Sequence, residues 1–272
     1  MTRTPDSAAI FSGGLDSTTL VYDMLSKGLT PHLLSFDYGQ RHSKELLFAE
    51  ATAHKLDLPF DVIDLTGLTH LISNSALTSR PQYVGADGEG NYIEVPEGHY
   101  AEDNMKKTVV PNRNMIMLSI AAGVAVNNGY ECLATGVHSG DHFVYPDCRP
   151  EFISLAAATI MKGNEGFGSL GEYDPSRRFL IAPYLDDSKA DIAYRAIELN
   201  VPFEDTWSCY KGGERHCGKC GTCVERLEAI DEATLRYTKD YLLTTKVGEP
   251  ANTVKDKTEY EDAEYWRTVI KN

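Results

Sequence analysis

The segment Ala8-Ala9-Ile10-Phe11 is a short apolar run that ends in Ser12-Gly13-Gly14-Leu15-Asp16-Ser17. It reads as a buried strand: it is too brief for a helix and stops at a pair of glycines. Leu20, Val21, Met24 and Leu25 follow at helical spacing, and Gly28 stops that helix. The alternation continues. Residues 33–36 read as a strand, 44–56 as a helix with Leu46, Leu47 and Ala53 available for packing, and 60–63 as a third strand. Strands separated by helices of this length imply a parallel sheet with right-handed crossovers. Residues 115–126 are apolar nearly all round, which predicts a buried helix. Residues 132–135 and 179–181 supply a fourth and fifth strand, and 152–161 and 189–199 two more helices. The expected class is α/β, with a Rossmann-like parallel sheet.

Two stretches depart from the alternation. Between Gln82 and Met105 lie six acidic residues, four glycines and no Lys or Arg, which predicts an inserted surface loop. Residues 206–223 are rich in Gly and Cys, and a helix is expected over 222–235. The tail beyond Gly248 is polar and acidic, with Tyr260, Tyr265, Trp266 and Ile270 able to form one docking helix. The expected organisation is a nucleotide-binding and catalytic domain over 1–205, a cysteine segment with its helix over 206–240, and an extension over 241–272.

The net charge of −14 argues against a passive binder of DNA or RNA, whose phosphates it would repel. No apolar run reaches the roughly 20 residues of a membrane helix. The first six residues lack the apolar core of a signal peptide. The expectation is a cytoplasmic protein with no membrane partner, whose six cysteines stay reduced.

The loop Ser12 to Ser17 lies at the carboxyl end of a strand, where ligands bind in parallel sheets. Two glycines let the backbone approach an anion closely, and the N–H groups of the next helix favour phosphate. Ser12, Ser17 and Thr18 add hydroxyl donors. The loop lacks the Lys of a Walker A motif and the spacing of a dinucleotide fingerprint. It is therefore expected to hold the pyrophosphate end of ATP and leave the α-phosphate open to attack. Asp16 suits such a place only if a cation such as Mg²⁺ lies between it and the phosphates.

Cys209, Cys217, Cys220 and Cys223 are spaced C-x7-C-x2-C-x2-C. Four thiolates satisfy one tetrahedral Zn²⁺ and leave no open position, so such a site is structural. An iron–sulfur cluster is the rival reading. Lys211, Arg215 and Lys219 are placed to offset the negative charge. Cys132, within an expected strand, reads as an inert core thiol.

Three further loops fall near strand ends or helix starts. Asp37-Tyr38-Gly39-Gln40-Arg41-His42 follows the second strand. Val110-Pro111-Asn112-Arg113-Asn114 precedes the buried helix, with Arg113 a phosphate partner and Asn112 or Asn114 a cap. Gly136 to Phe152 carries Asp141, His142, Tyr145, Asp147, Cys148 and Arg149, a density of polar groups that suits a substrate pocket. Asp147 is the candidate acceptor for a purine-like base, and Arg149 the candidate partner of a carboxylate or phosphate. Cys148 reads as pocket lining or a helix N-terminal residue. Lys189 opens a helix.

Together these motifs resemble the N-type ATP pyrophosphatase (PP-loop) superfamily. Within it the chain resembles the 7-cyano-7-deazaguanine synthase family, the nitrile-forming enzymes of queuosine biosynthesis. The resemblance covers roughly residues 8–235. It rests on Phe11 to Thr19, Phe36 to His42, Val110 to Asn114, Tyr145 to Phe152, and Thr206-Trp207-Ser208-Cys209-Tyr210 with the three later cysteines. Asn112 stands where Gly is common in that family, and His142-Phe143-Val144 replaces the usual run before Tyr145.

The resemblance implies a PP-loop ATP pyrophosphatase domain with a C-terminal zinc-binding segment, usually as a homodimer, acting on 7-carboxy-7-deazaguanine, ammonia and ATP. ATP is then expected on Phe11, Ser12, Gly13, Gly14, Leu15, Asp16, Ser17, Thr18, Thr19, Leu20, Gln40, Arg41 and His42. Asp16, Ser17, Arg113 and Lys189 are the expected catalytic residues. The substrate is expected on Asp141, His142, Tyr145, Asp147, Cys148 and Arg149. Adenylation turns the oxide of a carboxylate into AMP, a good leaving group. Ammonia gives the amide, and a second adenylation gives the nitrile. Two alternatives stay open: a PP-loop enzyme joining the adenylated deazaguanine to a protein amine, and a PP-loop tRNA thiolase with an iron–sulfur cluster.

Overall fold

A computed structural model describes residues 3–79, 92–100, 103–164, 179–244 and 256–269. Five strands, β1 (Ser7–Ile10), β2 (Pro31–Asp37), β3 (Phe60–Asp64), β4 (Leu133–Ala134) and β5 (Leu180–Ile181), form one parallel sheet in the order β3-β2-β1-β4-β5. β1 is central: Ala8 faces both His32 and Leu133 in register. Successive side chains alternate between the two faces. Ala8, Leu34, Leu133 and Leu180 point into a core shared with α3 (Arg113–Asn127) and α4 (Pro150–Gly163). Ala9, Leu33 and Ala134 point into the opposite core, formed with α1 (Leu15–Ser26), α2 (Lys44–Leu56) and Ile192 of α5 (Lys189–Glu198). This is the expected α/β class.

The helix expected to be buried all round differs in detail. Leu118, Ala121, Ala122 and Ala125 form one buried face of α3, while Ser119 and Gly123 face outward. Residues 105–127 are apolar enough for a membrane span, yet α3 itself has 15 residues. At about 1.5 Å per residue it measures about 22 Å, short of a bilayer core of about 30 Å.

The described part of the acidic stretch is not the surface loop expected there. Val95, Tyr100 and Met105 are buried, and the Gly98 N–H donates to the Lys219 carbonyl at 3.0 Å. Glu97 is drawn to the cysteine segment, where it pairs with Lys211. Residues 83–91 and 101–102 of that stretch, and Ile270 of the tail, lie outside the described residues.

α6 (Gly221–Thr244) outruns its expected end: past Leu235, Tyr237 packs against the core that Ala229, Ile230 and Ala233 form with α5, and Tyr194 Oη donates to Asp240 at 3.0 Å. The tail does dock, but the helix is only α7 (Tyr265–Val269), with Trp266 buried. Ahead of it, residues 259–261 run beside His216, whose N–H donates to the Glu259 carbonyl and whose carbonyl accepts from Glu261.

Candidate active site and cysteine centre

The sheet order reverses between β1 and β4: β1 to β3 step one way, while β4 and β5 lie on the other side of β1. Loops leaving the carboxyl ends of β1 and β4 must therefore diverge, and a crevice opens between them. One cleft lies there. It is lined by Phe11, Ser12, Gly14, Leu15, Asp16 and Ser17 after β1, by Tyr38 and His42 after β2, and by Gly136, His138 and Asp141 after β4. Arg113 and Asn114 open α3 at its wall, Lys189 opens α5, and Trp207, Ser208, Tyr210, Thr222 and Glu225 close it from the cysteine side.

The loop after β1 is tied by its own hydroxyls. Ser17 Oγ accepts from the Ser12 N–H at 3.2 Å, and the Gly14 N–H donates to Ser12 Oγ at 3.3 Å. α1 has no side-chain cap, so its first-turn N–H groups are left for a ligand. Gly13 serves packing here: at φ +76°, a Cβ on it would lie 2.6 Å from the Glu45 carbonyl oxygen of α2. Gly13, Thr18, Thr19 and Leu20 stand outside the lining. The last three are buried in or against the core, where Thr19 Oγ1 bonds the Leu15 carbonyl.

Lys189 donates to Asp16 Oδ2, and its Nζ lies 3.8 Å from Glu225 Oε2. Burial alone would raise the Asp16 carboxyl, but the Lys189 ammonium and the neighbouring His138 hold it below its ordinary value. Burial would likewise lower Lys189, and Asp16 with Glu225 and Asp141 push it up instead. The pair is thus ionised. Asp16 Oδ1 is buried and has no hydrogen-bond partner among the described residues, an orphaned oxygen that fits a cation ligand.

At the other end lie Tyr38, Tyr100, Tyr145, Tyr210 and Met117. The Arg113 guanidinium sits 5.5 Å from the Tyr145 ring centre and pairs with no carboxylate among the described residues. Asn112, which precedes it, takes φ +60°, the left-handed region where Gly and Asn are the tolerated residues. That accounts for Asn at a position where Gly is common. Tyr100 Oη donates to Asp141 Oδ1 at 3.1 Å, and Tyr145 Oη bonds Thr108 Oγ1 at 2.7 Å.

Several residues expected in the site do something else. Gln40 is fully buried and holds the Tyr38 N–H and the Phe36 carbonyl with its amide. Arg41 turns away to the carbonyls of Ala76 and Ile93. Asp147 accepts from the Asn114 N–H at 3.0 Å, so its carboxylate caps α3 and lies outside the cleft lining. Arg149 is exposed and bonds the His142 carbonyl at 3.0 Å; neither it nor His142 lines the cleft. Cys148 does line it, but burial pushes its thiol up, which leaves it a poor nucleophile.

The cleft also holds His138, Glu225, Glu45, Tyr100 and Tyr210, which sequence reasoning did not assign. Glu225 had one available signal, its place two residues after Cys223 at the start of a helix that the cysteines must fix.

The four sulfurs of Cys209, Cys217, Cys220 and Cys223 are buried and lie within 4.8 Å of one another. A single ion with metal–sulfur bonds of about 2.3 Å spaces its thiolates about 3.8 Å apart. Cys217 and Cys223 are 3.9 Å apart. The N–H groups of Lys219 and Cys220 donate to Cys217 Sγ at 3.4 and 3.2 Å. The donor set fits one tetrahedral metal. Lys211 feels the charge of Cys217 and Cys220 as expected, while Lys211, Arg215 and Lys219 also pair with Glu97, Glu259 and Asp262. The buried cation on this side of the cleft is Arg226 on α6.

Comparison with known proteins agrees in extent and kind. A sequence model of the family described as queuosine biosynthesis protein QueC matches residues 7–234. The 7-cyano-7-deazaguanine synthase of Brucella anthropi is 46% identical, over 96% of this chain and 96% of that protein. The protein named 7-cyano-7-deazaguanine synthase 1 of Mesorhizobium japonicum is 44% identical over 97% of each. The chain belongs to the queuosine biosynthesis protein QueC family.

Proposed function

We propose that the chain converts 7-carboxy-7-deazaguanine and ammonia to 7-cyano-7-deazaguanine, with two ATP cleaved to AMP and pyrophosphate. One observation carries this reading: an anion-binding βα loop and an aromatic pocket whose Arg113 guanidinium pairs with no carboxylate among the described residues face one cleft. ATP lays its phosphates along Ser12 to Ser17 and meets Lys189. His42 lines the same cleft with its Nδ1 buried and without a protein partner, an acceptor suited to a base N–H. The flat deazapurine stacks among Tyr38, Tyr145 and Tyr210. Arg113 draws its carboxylate toward the α-phosphate, where two anions would otherwise repel.

The carboxylate oxygen attacks the α-phosphorus and pyrophosphate leaves. Ammonia then forms the C–N bond as the C–O bond to AMP breaks. The amide oxygen is adenylated in turn and departs as AMP, while the nitrogen loses its protons. Both rounds activate an oxygen on one carbon, so one cleft serves both. A Mg²⁺ held by Asp16 Oδ1 would add positive charge beside the departing pyrophosphate. Zn²⁺ is the metal we assign to the four cysteines, with a purely structural task. A cubane iron–sulfur cluster would spread the thiolates farther than 4.8 Å.

The test is mass spectrometry of the products from carboxydeazaguanine, ATP and ammonium. Nitrile, AMP and pyrophosphate are expected. ADP with phosphate, or a deazaguanine attached to protein amines, overturns the reading. A brown protein overturns the zinc assignment.

A further inference from the structure

Glu225, Asp141 and His138 converge on one part of the cleft from two elements, α6 and the turn after β4. Their approach depends on Gly140. A Cβ there would lie 2.9 Å from His138 Cε1 and 3.2 Å from Glu225 Oε1. His138 is buried, and its Nδ1 accepts the Gly140 N–H at 3.2 Å. In the neutral ring the proton therefore sits on Nε2. That nitrogen faces Asp141 Oδ2 at 3.6 Å and Asp16 Oδ2 at 4.0 Å, both beyond hydrogen-bond reach. The second ring nitrogen of a buried histidine is thus aimed between two carboxylates.

The charges are also unbalanced. Lys189 gives its close contact to Asp16 and stands 3.8 Å from Glu225. Among the described residues, the side-chain hydrogen bond that Asp141 receives comes from the Tyr100 hydroxyl. Asp141 and Glu225, with Lys189 no nearer than 3.8 Å to Glu225, offer the acceptors that a small nitrogen cation needs, and His138 Nε2 stands beside them. They also match the edge of a primary carboxamide, which offers two N–H donors and one carbonyl acceptor.

Resting on the synthase reading above, we propose that His138, Asp141 and Glu225 form a nitrogen subsite. It captures ammonium from solvent and then holds the carboxamide intermediate, N–H groups toward Asp141 and Glu225, carbonyl toward His138 Nε2. Ammonium gives up one proton to solvent before its lone pair attacks. A second is lost as the C–N bond forms and AMP departs with its oxygen. The amide stays where its oxygen can meet the next ATP.

The test varies ammonium in steady state for the full chain and for Glu225→Gln, alongside acid-dependent ATP–pyrophosphate exchange without ammonium. The ammonium KM is expected to rise at least tenfold more than the exchange rate falls, and the KM for added carboxamide to rise with it. A proportional loss in both assays, or an ammonium KM within twofold of the unmodified chain, overturns the proposal. A second measurement needs no variant. Rubidium, an ion of ammonium's size without protons, is expected to compete with ammonium and not with ATP, and any other pattern overturns the proposal. If the unmodified chain makes neither amide nor nitrile from ammonium, the synthase reading fails, and the subsite with it.

Discussion

Arg226 is the joint on which the cysteine side of the cleft turns. It is fully buried, with no carboxylate in contact, and its guanidinium makes five hydrogen bonds. Nη1 reaches Thr206 Oγ1 at 2.7 Å and Ser208 Oγ at 3.2 Å, and Nη2 the Phe203 carbonyl at 2.7 Å and Thr258 Oγ1 at 3.0 Å. Nε reaches Tyr260 Oη at 3.0 Å. One residue thus binds α6, the 203–208 segment that carries Trp207 and Ser208 into the cleft, and the tail.

Arg226→Met keeps most of the volume and removes every bond. Hydrogen bonds to a charged group contribute about 1.5–3 kcal/mol each. The two at 2.7 Å, to buried partners, give about 3–6 kcal/mol, and loss of the three longer ones adds to this. Relief of the guanidinium's desolvation offsets part of it. The expected net loss is about 4 kcal/mol. Tyr260→Phe, which removes the bond from Arg226 Nε and the one Tyr260 Oη donates to Asp256 Oδ2, should cost about 1–2 kcal/mol. Urea unfolding at one fixed free zinc concentration measures both, because metal held only by the folded chain adds to stability. With a slope of about 3 kcal/mol per molar, Arg226→Met lowers the midpoint by about 1.3 M. A loss below about 1.5 kcal/mol, or equal losses in the two variants, refutes the reasoning.

The sheet and the loop after β1 were legible because their signals are local. A short apolar run, a glycine pair and a helical period need no partner to be read, and residues 44–56 form α2 with the expected bounds. The four cysteines were legible because metal-ligand spacing lies in the chain itself. What escaped depends on folding. Asp147 and Asp141 are equally acidic and six residues apart, yet one caps α3 and the other lines the cleft. Only the packing of one turn against the start of a helix decides between them. Gln40 and Arg41 sit in a loop that does reach the cleft, but their side chains are spent on buried carbonyls, and His42 alone of the three lines it. Glu225 and Tyr100 lie 84 and 41 residues from Asp141, beside which they line the cleft, and no spacing rule brings them together. The acidic stretch misled for a related reason: its charge suited solvent, while Val95, Tyr100 and Met105 within it are its buried anchors.

Cys220→Ser should release the bound metal and unfold the 206–223 segment, a loss that metal analysis and thermal unfolding would both register; full zinc content with unchanged stability refutes the four-sulfur site. Asp147→Ala should cost about 1 kcal/mol, the worth of a helix cap, and leave calorimetric affinities for carboxydeazaguanine and ATP alike unchanged. A selective loss for the base would return Asp147 to the pocket. The last prediction concerns Glu45, which lines the cleft beside His42 and Gln40. Burial raises its carboxyl to about 8, with Arg113 opposing only in part, while the unfolded chain releases that proton near 4.5. Between those values the folded state binds the extra proton, so stability falls as pH rises through this window and levels off above about 8. Glu45→Gln removes the penalty. Its advantage should be absent below pH 4.5 and reach a few kcal/mol by pH 9, the upper limit being about 5 kcal/mol from 1.36 kcal/mol per unit. Urea midpoints at pH 5 and pH 9 decide it: a variant advantage that is equal at both values, or larger at pH 5, removes Glu45 as a buried acid and makes it a solvated wall of the cleft.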